Sequence, residues 1–175
     1  MRRAPGQGRH QHPLCGRLPG LCVHRLFEGP VMSLAPTPLP AKPLPRIDGP
    51  ERPFWEGLLE GVIRVQHCLS CGRPRFPASR YCPHCHSPES EWRAVDPFGE
   101  IETYCVFHKA YFPGFVPEMP YAVVQVRLDC GVRFFSNMAG IGNDEIRTGM
   151  RVRAVFETAA PGIALLKFRP EGDER

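Results

Sequence analysis

Four cysteines in two closely spaced pairs constrain this chain more than any other feature. Cys68 and Cys71 are separated by two residues, Cys82 and Cys85 repeat that spacing, and ten residues lie between the pairs. Each pair can present two thiolates from one tight turn, and zinc prefers four soft ligands in a tetrahedron. Gly72, directly after the first pair, permits the left-handed backbone that such a turn often needs. The spacing therefore predicts one structural Zn²⁺ ion bound by Cys68, Cys71, Cys82 and Cys85.

Three alternatives to this zinc site stay open. The cysteines would be ordinary thiols if no metal bound, although the double spacing is specific for metal sites. His67, His84 or His86 would be able to replace one cysteine as a ligand. Iron is also accepted by four thiolates in a tetrahedron. When all four coordination positions are filled by the protein, the ion is structural rather than catalytic.

The first fifty residues carry few signals for regular structure. Residues 1–31 are rich in Arg, Gly, Pro and His without periodicity, which predicts a disordered tail or a mis-assigned start before Met32. Prolines recur through residues 32–50, which predicts an extended proline-rich arm.

A short helix is expected over residues 51–63. Asp48 and Glu51 resemble a capping box at its start, and Gly61 is a natural stop. Phe54 and Trp55 open a wide apolar face on this helix. Because so short a helix is marginal alone, it must dock on its own domain or on a partner. The proline-rich arm in front of it favours a partner contact for both aromatic residues.

The remainder of the chain predicts a mainly β protein. A zinc ribbon is expected over residues 64–94, a barrel over 95–170 and a short tail over 171–175. Five short runs with one longer connection between the third and fourth match a five-stranded OB-type barrel, and they would close equally well as another small barrel. The segment Gly140–Gly149 in that connection would hold a short helix or an irregular crossover. The five runs are Gly99–Phe107, Tyr121–Leu128, Val132–Asn137, Met150–Glu157 and Ile163–Phe168.

Charge and hydropathy narrow the class of protein. The chain holds 22 basic and 18 acidic residues, and residues 1–31 account for five arginines and one glutamate, which leaves 17 of each over residues 32–175. A neutral folded part gives no bulk attraction for a nucleic-acid backbone. No apolar run approaches the roughly 18 residues needed to span a bilayer. Metal-type cysteine spacing favours a reducing, cytoplasmic location.

A set of motifs in fixed order resembles a known family over residues 44–170. The set resembles the acyl-CoA-associated zinc-ribbon/OB-fold family, which was formerly described only as a domain of unknown function. The motifs that carry the resemblance are Phe54-Trp55-Glu56-Gly57-Leu58, Cys68-x-x-Cys71-Gly72-Arg73, Phe76-Pro77, Cys82-Pro83-x-Cys85, Glu91-Trp92, Pro120-Tyr121-Ala122-Val123, Gly131-Val132-Arg133, Ser136-Asn137, Gly149-Met150 and Leu166-x-Phe168-Arg169-Pro170.

The resemblance implies a fold and a function. The fold is an N-terminal helical arm, a rubredoxin-like zinc ribbon and a C-terminal OB fold. The function is that of an accessory or scaffold subunit beside an acyl-CoA enzyme, a thiolase-like, aldolase-like or hot-dog hydratase-like protein, in lipid or steroid metabolism. Such a chain would form a hetero-oligomer with that enzyme. It would be a required or stimulating subunit without catalysis of its own, and acyl-CoA is a candidate ligand.

Two groups of residues are candidates for contact with acyl-CoA or a partner, beside Phe54 and Trp55. Arg73, Arg75 and Arg80 surround Phe76, and arginine clusters suit the phosphates of coenzyme A. A solvated ribbon surface explains the arginines equally well. The loop from His108 to Pro120 carries three aromatic residues that either cover the barrel mouth or face a partner. These residues are Tyr111, Phe112 and Phe115.

Other functions find less support in the sequence. Cys105 and His108 have the spacing of opposite faces on a strand, so a nucleophile–base pair is not expected and Cys105 is interpreted as buried. The main alternative is a module that binds single-stranded nucleic acid, because zinc ribbons and OB folds often do so. That alternative requires a basic groove with stacking aromatic rings, which the neutral balance of residues 32–175 does not favour.

Overall fold

A computed structural model of the chain describes residues 42–172. The predictions for residues 1–31, for most of the arm over 32–50 and for 173–175 lie outside the described residues. The regular elements are α1 (Arg52–Leu59), β1 (Ile63–Cys68), β2 (Pro74–Arg75), β3 (Ser90–Val95), β4 (Phe98–Phe107), a 3₁₀ helix (Pro113–Glu118), β5 (Tyr121–Leu128), β6 (Arg133–Ser136), β7 (Arg151–Ala160) and β8 (Ile163–Pro170).

Helix α1 is shorter than the predicted 51–63. Its N-cap is Glu51, which makes no side-chain cap hydrogen bond, so the capping box expected from Asp48 and Glu51 is not formed. The helix stops in a Schellman motif: Gly61 has φ +77°, and the Val62 amide donates to the Gly57 carbonyl at 2.8 Å. The left-handed glycine turns the chain directly into β1, which is why no helical turn follows residue 60.

The ribbon is a three-stranded antiparallel sheet in the order β2-β1-β3. Strand β1 lies in the centre and pairs along its whole length with β3, from Ile63 opposite Val95 to Cys68 opposite Ser90. Strand β2 covers only two residues and pairs with β1 next to the first cysteine pair. The first cysteine pair therefore lies at the end of this sheet, where the two cysteine-bearing turns meet.

The barrel is a five-stranded sheet in the order β6-β5-β4-β7-β8, which is nearly closed. Closure comes from the segment after β6, where Met138 forms a parallel bridge with Phe168 of β8. Two backbone hydrogen bonds continue this contact. The Phe168 amide donates to the Asn137 carbonyl at 3.0 Å, and the Ala139 amide donates to the Phe168 carbonyl at 2.7 Å. Antiparallel neighbours with one parallel closure between the third and fifth strands are typical of the OB fold. The predicted mainly β architecture is confirmed.

The predicted alternation in β5 is confirmed. Ala122, Val124, Val126 and Leu128 are buried, whereas the intervening side chains are exposed or half-buried. In β7 the inner positions are Val152 and Ala154, with Phe156 half-buried beyond them. The strands agree with the five predicted runs to within about three residues, and the largest difference is β7, which continues to Ala160.

The connection between β6 and β7 is an irregular crossover rather than a helix. Residues 140–149 contain turns, and Ile146 is fully buried in the hydrophobic core. Helix α1 packs against β1, β7 and β8 and so joins the ribbon to the barrel. Within residues 42–172, no helix has both the length and the apolar character needed to cross a membrane.

Candidate metal centre and exposed apolar surface

Two turns of the same geometry present the four cysteines. The Gly72 amide donates to the Cys68 carbonyl and the His86 amide donates to the Cys82 carbonyl, both at 2.9 Å. Gly72 and His86 have φ of +71° and +60°, so each turn ends on a left-handed residue. Glycine adopts this conformation without strain, whereas histidine does so at a cost. The second turn therefore repeats the first with a less suitable residue.

The sulfur atoms are spaced for a tetrahedral metal ion. All four Sγ atoms lie within 4.8 Å of one another. The Sγ–Sγ distance is 3.5 Å between Cys68 and Cys85 and 3.7 Å between Cys71 and Cys82. With metal–sulfur bonds of about 2.3 Å, a regular tetrahedron has sulfur–sulfur edges of about 3.8 Å. The donor set fits a zinc ion with little movement.

The electrostatics of the cluster also point to a cation. Backbone amides of Cys85 and His84 lower the pKa of the Cys82 thiol to about 6. The pKa of Cys68 is lowered chiefly by the amide of Cys71. At Cys85 the Ser87 amide lowers the pKa, but hydrogen bonding with Cys68, burial and the other two cysteines raise it to about 12. Backbone amides therefore favour the thiolate at Cys82 and Cys68, whereas crowding by the other sulfurs disfavours it at Cys85, and a bound cation would offset that crowding.

The neighbouring histidines lie outside this cluster. In the part of the chain that the structure describes, the grouped metal-ligating atoms are the four cysteine sulfurs. His84 is exposed, and its Nδ1 lies 2.7 Å from the Arg73 guanidinium. His67 is half-buried on β1, and its buried Nδ1 lacks a hydrogen-bond partner among the described residues.

The three candidate arginines have different roles. Arg75 is 7% exposed and donates from Nε to the Gln66 Oε1 at 2.9 Å and from NH2 to the Ser79 carbonyl at 3.1 Å. It is therefore part of the ribbon interior, and its contact with a ligand or partner stays a prediction. Arg73 pairs with His84, and Arg80 lies over the Tyr81 ring at 5.5 Å. Only Arg73 and Arg80 are exposed.

An aromatic cluster joins the helix, the ribbon and the barrel. The ring of Phe76 lies 4.6 Å from both Phe54 and Phe134, measured between centroids. Phe54 is 4% exposed and belongs to the core, and its contact with a partner stays a prediction. Trp55 is half-buried and contacts Phe54 edge-on. Beside the cluster lies a groove of about 640 Å³ lined by Trp55, Phe76 and residues of β6 and β8.

The loop from His108 to Pro120, which we call the lip, contains the 3₁₀ helix and exposes aromatic side chains. Phe115 stacks on Tyr121 at 5.4 Å, and the Lys42 ammonium lies 5.1 Å from the Phe115 ring centroid while it pairs with Glu118. The lip therefore packs against β5 and the arm. Its outward side chains are Tyr111, Phe112 and Val116, exposed by 66%, 52% and 61%.

Two side chains on the outside of the barrel differ from the sequence-based interpretation. Cys105 is exposed rather than buried, because it lies opposite Val123 on the outer face of the sheet. Phe135 is 74% exposed and was not a candidate. Phe134 and Phe135 are consecutive in a strand, so alternation requires one of them to point outward. A large aromatic residue at an outward position of a strand was the sequence signal by which Phe135 was identifiable as a candidate contact.

Comparisons with known proteins agree with this architecture. Residues 55–91 match the rubredoxin-like zinc ribbon domain of ChsH2, and residues 92–157 match its C-terminal OB-fold domain. A structure described as Ltp2-ChsH2(DUF35) aldolase contains a chain that superposes with a TM-score of 0.66. That chain is 33% identical in sequence, and the match covers 73% of this chain and 98% of that one.

Two curated relatives also match. One, from Thermomonospora curvata, is named probable enoyl-CoA hydratase alpha subunit and is 34% identical over 135 residues, 76% of this chain but 41% of that protein. This chain thus spans about two fifths of the length of that relative. The other, from Methanocaldococcus jannaschii, is named DUF35 domain-containing scaffold protein and is 31% identical over 104 residues, 58% of this chain and 73% of that protein. With its ChsH2-type zinc ribbon and OB fold, the chain belongs to the DUF35 family.

Proposed function

We propose that this protein is an accessory or scaffold subunit of an acyl-CoA-processing complex. Its partner would be a larger thiolase-like, aldolase-like or hydratase-like enzyme that carries the chemistry. The names of the relatives support this, since one is a hydratase subunit, one is a scaffold and one was solved with an aldolase. A cytoplasmic location stays a prediction.

The observation that carries the proposal is the lip. Tyr111, Phe112 and Val116 project from one short segment that Phe115 and Lys42 hold in place. Large apolar side chains that are clustered, exposed and pre-ordered are typical of a protein interface, where aromatic residues supply much of the binding energy. Ordering before binding reduces the entropy lost on association.

The metal has a structural part in this proposal. We propose that Cys68, Cys71, Cys82 and Cys85 hold one zinc ion, which fixes the ribbon and so supports Phe76 against the barrel. Zinc held by four thiolates has no open position for substrate. The zinc itself would therefore take no part in chemistry on acyl-CoA, which we assign to the partner.

A contribution to acyl-CoA binding is a finer proposal. Of the residues predicted for this role, Trp55 and Phe76 line the apolar groove and Arg73 and Arg80 lie on the exposed ribbon surface. The groove is of the size and apolar character of small-ligand sites. Phe54 also lines the groove although it is 4% exposed, whereas Arg75 is internal and would act only by supporting this surface.

Binding of single-stranded nucleic acid is less well supported. OB folds bind oligonucleotides mainly on the face of their second and third strands, here β5 and β6. Arg127 and Arg133 lie there, but Glu102 accepts from both, at 3.0 and 2.6 Å. The pairing removes part of the positive charge that a phosphate backbone would require.

The proposal is tested by purifying the full chain with a C-terminal tag from its own host under gentle conditions. Stoichiometric recovery of an acyl-CoA enzyme, identified by mass spectrometry, is expected. The double variant Tyr111→Ser/Phe112→Ser should lose most of that enzyme, whereas Leu69→Ser, which changes a 54% exposed residue on the ribbon, should keep it. Recovery of the chain alone, or with nucleic acid that survives moderate salt, would contradict the proposal.

A further inference from the structure

The outer face of the barrel beside the lip has an unusual composition. The register of β4, β5 and β6 places Phe107 opposite Tyr121, Cys105 opposite Val123, and Gln125 opposite Phe135. Side chains opposite one another in an antiparallel sheet share a face. The inner face is fixed by the buried residues of β5, so these six side chains lie on the outside. We call this surface the outer face.

Ring contacts make the outer face continuous with the lip. Phe107 stacks on Tyr121 at 5.3 Å and meets Tyr111 edge-on at 6.1 Å. Phe115 stacks on the other side of Tyr121 and lies 6.4 Å from Phe112. The lip and the upper end of the outer face are therefore one packed aromatic layer.

Phe135 lies on the same outer face, further from the lip. Phe135 is paired with Gln125 and lies diagonally across from the half-buried Val123, and the exposed Cys105 lies one strand further away, opposite Val123. Folding of this chain alone does not require an apolar side chain at Phe135, since 74% of it is exposed. Contiguous apolar surface of this kind on a folded domain marks an interaction site.

The charges at the edge of this surface are mostly basic. Lys109 lies over the Tyr111 ring at 5.9 Å at the lip end. Arg127 and Arg133 share the single carboxylate of Glu102 at the other end, and Lys42 is balanced by Glu118. Glu100 lies opposite Arg127 on the same face, so four basic and three acidic residues leave a surplus of one positive charge. Complementarity therefore requires acidic groups around the apolar patch of whatever docks here.

We propose that the lip and the outer face form one interface, and that its occupant is the acyl-CoA enzyme through a folded surface with an apolar centre and an acidic rim. This inference rests on the proposed function and names the surface by which it is carried out. Phe135 is the central contact at the sheet end, and Tyr111 and Phe112 are the contacts at the lip end.

A protein surface fits this site better than a nucleic acid. Bases stack on the open faces of aromatic rings in single-strand sites. Here Phe107 and Phe115 each stack on Tyr121, so these three rings are partly covered, and Phe135 is the open ring on the sheet. The two arginines of the sheet end are held by Glu102. An apolar centre with a lightly charged rim is the composition of a protein–protein interface.

The test uses the acyl-CoA enzyme identified by co-purification, produced separately, and measures its affinity for the full-length chain. Phe135→Ser should weaken binding at least about tenfold, while Leu69→Ser should leave it unchanged. Lys109→Glu should slow association and reduce its dependence on salt. In the complex, Cys105 should be protected from alkylation, whereas Cys130, which lies in the hairpin between β5 and β6, should keep its reactivity.

The outcomes separate this inference from the proposed function. If the enzyme binds Phe135→Ser as tightly as the wild type and Cys105 stays reactive in the complex, the outer face is not the interface although the accessory role stands. If the wild type recovers no acyl-CoA enzyme, both are overturned. Binding of a single-stranded oligonucleotide that Phe135→Ser abolishes would assign the face to nucleic acid instead. The thermal midpoint of Phe135→Ser should equal that of the wild type, since its ring is exposed.

Discussion

At the scale of single residues, His86 shows a local conflict between sequence and backbone. It closes the second cysteine turn with φ +60°, where the first turn uses Gly72. A residue with a side chain in the left-handed region destabilises the fold by about 1–2 kcal/mol. Glycine avoids this strain, but part of the gain is lost because glycine has more conformational freedom in the unfolded chain. His86→Gly should therefore raise the free energy of unfolding of the zinc-loaded protein by about 0.5–1 kcal/mol.

The matched change is Gly72→Ala, which should lower that free energy by about 1 kcal/mol. A Cβ atom at residue 72 would meet nothing within 4 Å, so the effect would come from the backbone alone. Urea unfolding with zinc in excess measures both variants. Destabilisation by His86→Gly would show that the imidazole has a favourable contact that outweighs the strain.

Arg75 is a buried cation whose role is structural. It holds Gln66 and the Ser79 carbonyl, and its NH1 has no hydrogen-bond partner among the described residues. Arg75→Met should lower stability by about 1–3 kcal/mol, because the Ser79 carbonyl loses a charged donor. Affinity for the partner enzyme should not change.

The exposed Arg73 is the control for this prediction, and Arg73→Met should change stability by less than about 0.5 kcal/mol. Denaturant unfolding and acyl-CoA titration of the complex measure the two effects separately. Loss of acyl-CoA binding in Arg75→Met with unchanged stability would support the role in ligand binding that the sequence suggested.

At the scale of elements, a bulge in β4 creates the ion cluster outside the barrel. The register shifts between Ile101 and Thr103, which leaves Glu102 outside to accept from Arg127 and Arg133. Hydrogen bonding from Arg133 is the largest cause of the lowered pKa of Glu102, partly opposed by burial. A lowered carboxyl pKa stabilises the fold above the unfolded value of about 4.3, and this contribution is lost as the pH falls through the folded value.

Arg133→Gln should therefore raise the pKa of Glu102 toward about 4.3. The ¹³C shift of the Glu102 carboxyl carbon, followed against pH, measures it. Asp129, whose pKa is lowered mainly by Arg151, is the control and should titrate unchanged in this variant. An unchanged Glu102 titration would show that Arg133 does not hold this carboxylate in solution.

The elements were predictable to different degrees. Alternation in β5 and the glycine stop of α1 depend on local periodicity and backbone conformation, so the sequence contains them. The bulge at Glu102 and the true N-cap at Glu51 depend on which strand pairs with which and on where the chain enters the helix. Such tertiary constraints leave no local pattern.

At the scale of the whole molecule, the ribbon is tied to the barrel through Phe76, so loss of metal should be felt beyond the ribbon. We expect Cys71→Ser to abolish zinc retention, because it removes one of the four ligands. Zinc in such sites contributes on the order of 10 kcal/mol to folding. The thermal midpoint of the whole protein should fall, since Phe54 and Phe134 lose their contacts with the Phe76 ring.

Cys105→Ser is the matched control, because Cys105 is exposed on the outer face and lies outside the metal cluster. Elemental analysis and calorimetry on the same samples measure both effects. Retention of one equivalent of zinc by Cys71→Ser would show that three cysteines suffice or that a histidine replaces the fourth.

The candidate site was only partly visible in the sequence for a related reason. The metal cluster lies within 18 residues and follows from spacing alone. The role of an aromatic residue depends on what packs against it. Phe54 contacts Phe76 and Phe134 and is part of the core, whereas Phe135 is 74% exposed among the described residues. Burial is a property of the assembled fold. The sequence therefore identified aromatic candidates but did not separate core residues from exposed ones.

The central claim is that this chain completes an acyl-CoA enzyme without catalysing a reaction itself. It is tested most directly by measuring acyl-CoA turnover of the co-purified enzyme, isolated alone and then recombined with the zinc-loaded chain. We predict low turnover or poor stability of the enzyme alone, no turnover by this chain alone, and restored activity when the two are mixed at equal stoichiometry. Full and durable activity of the enzyme without this chain, or turnover by this chain alone, would contradict the account.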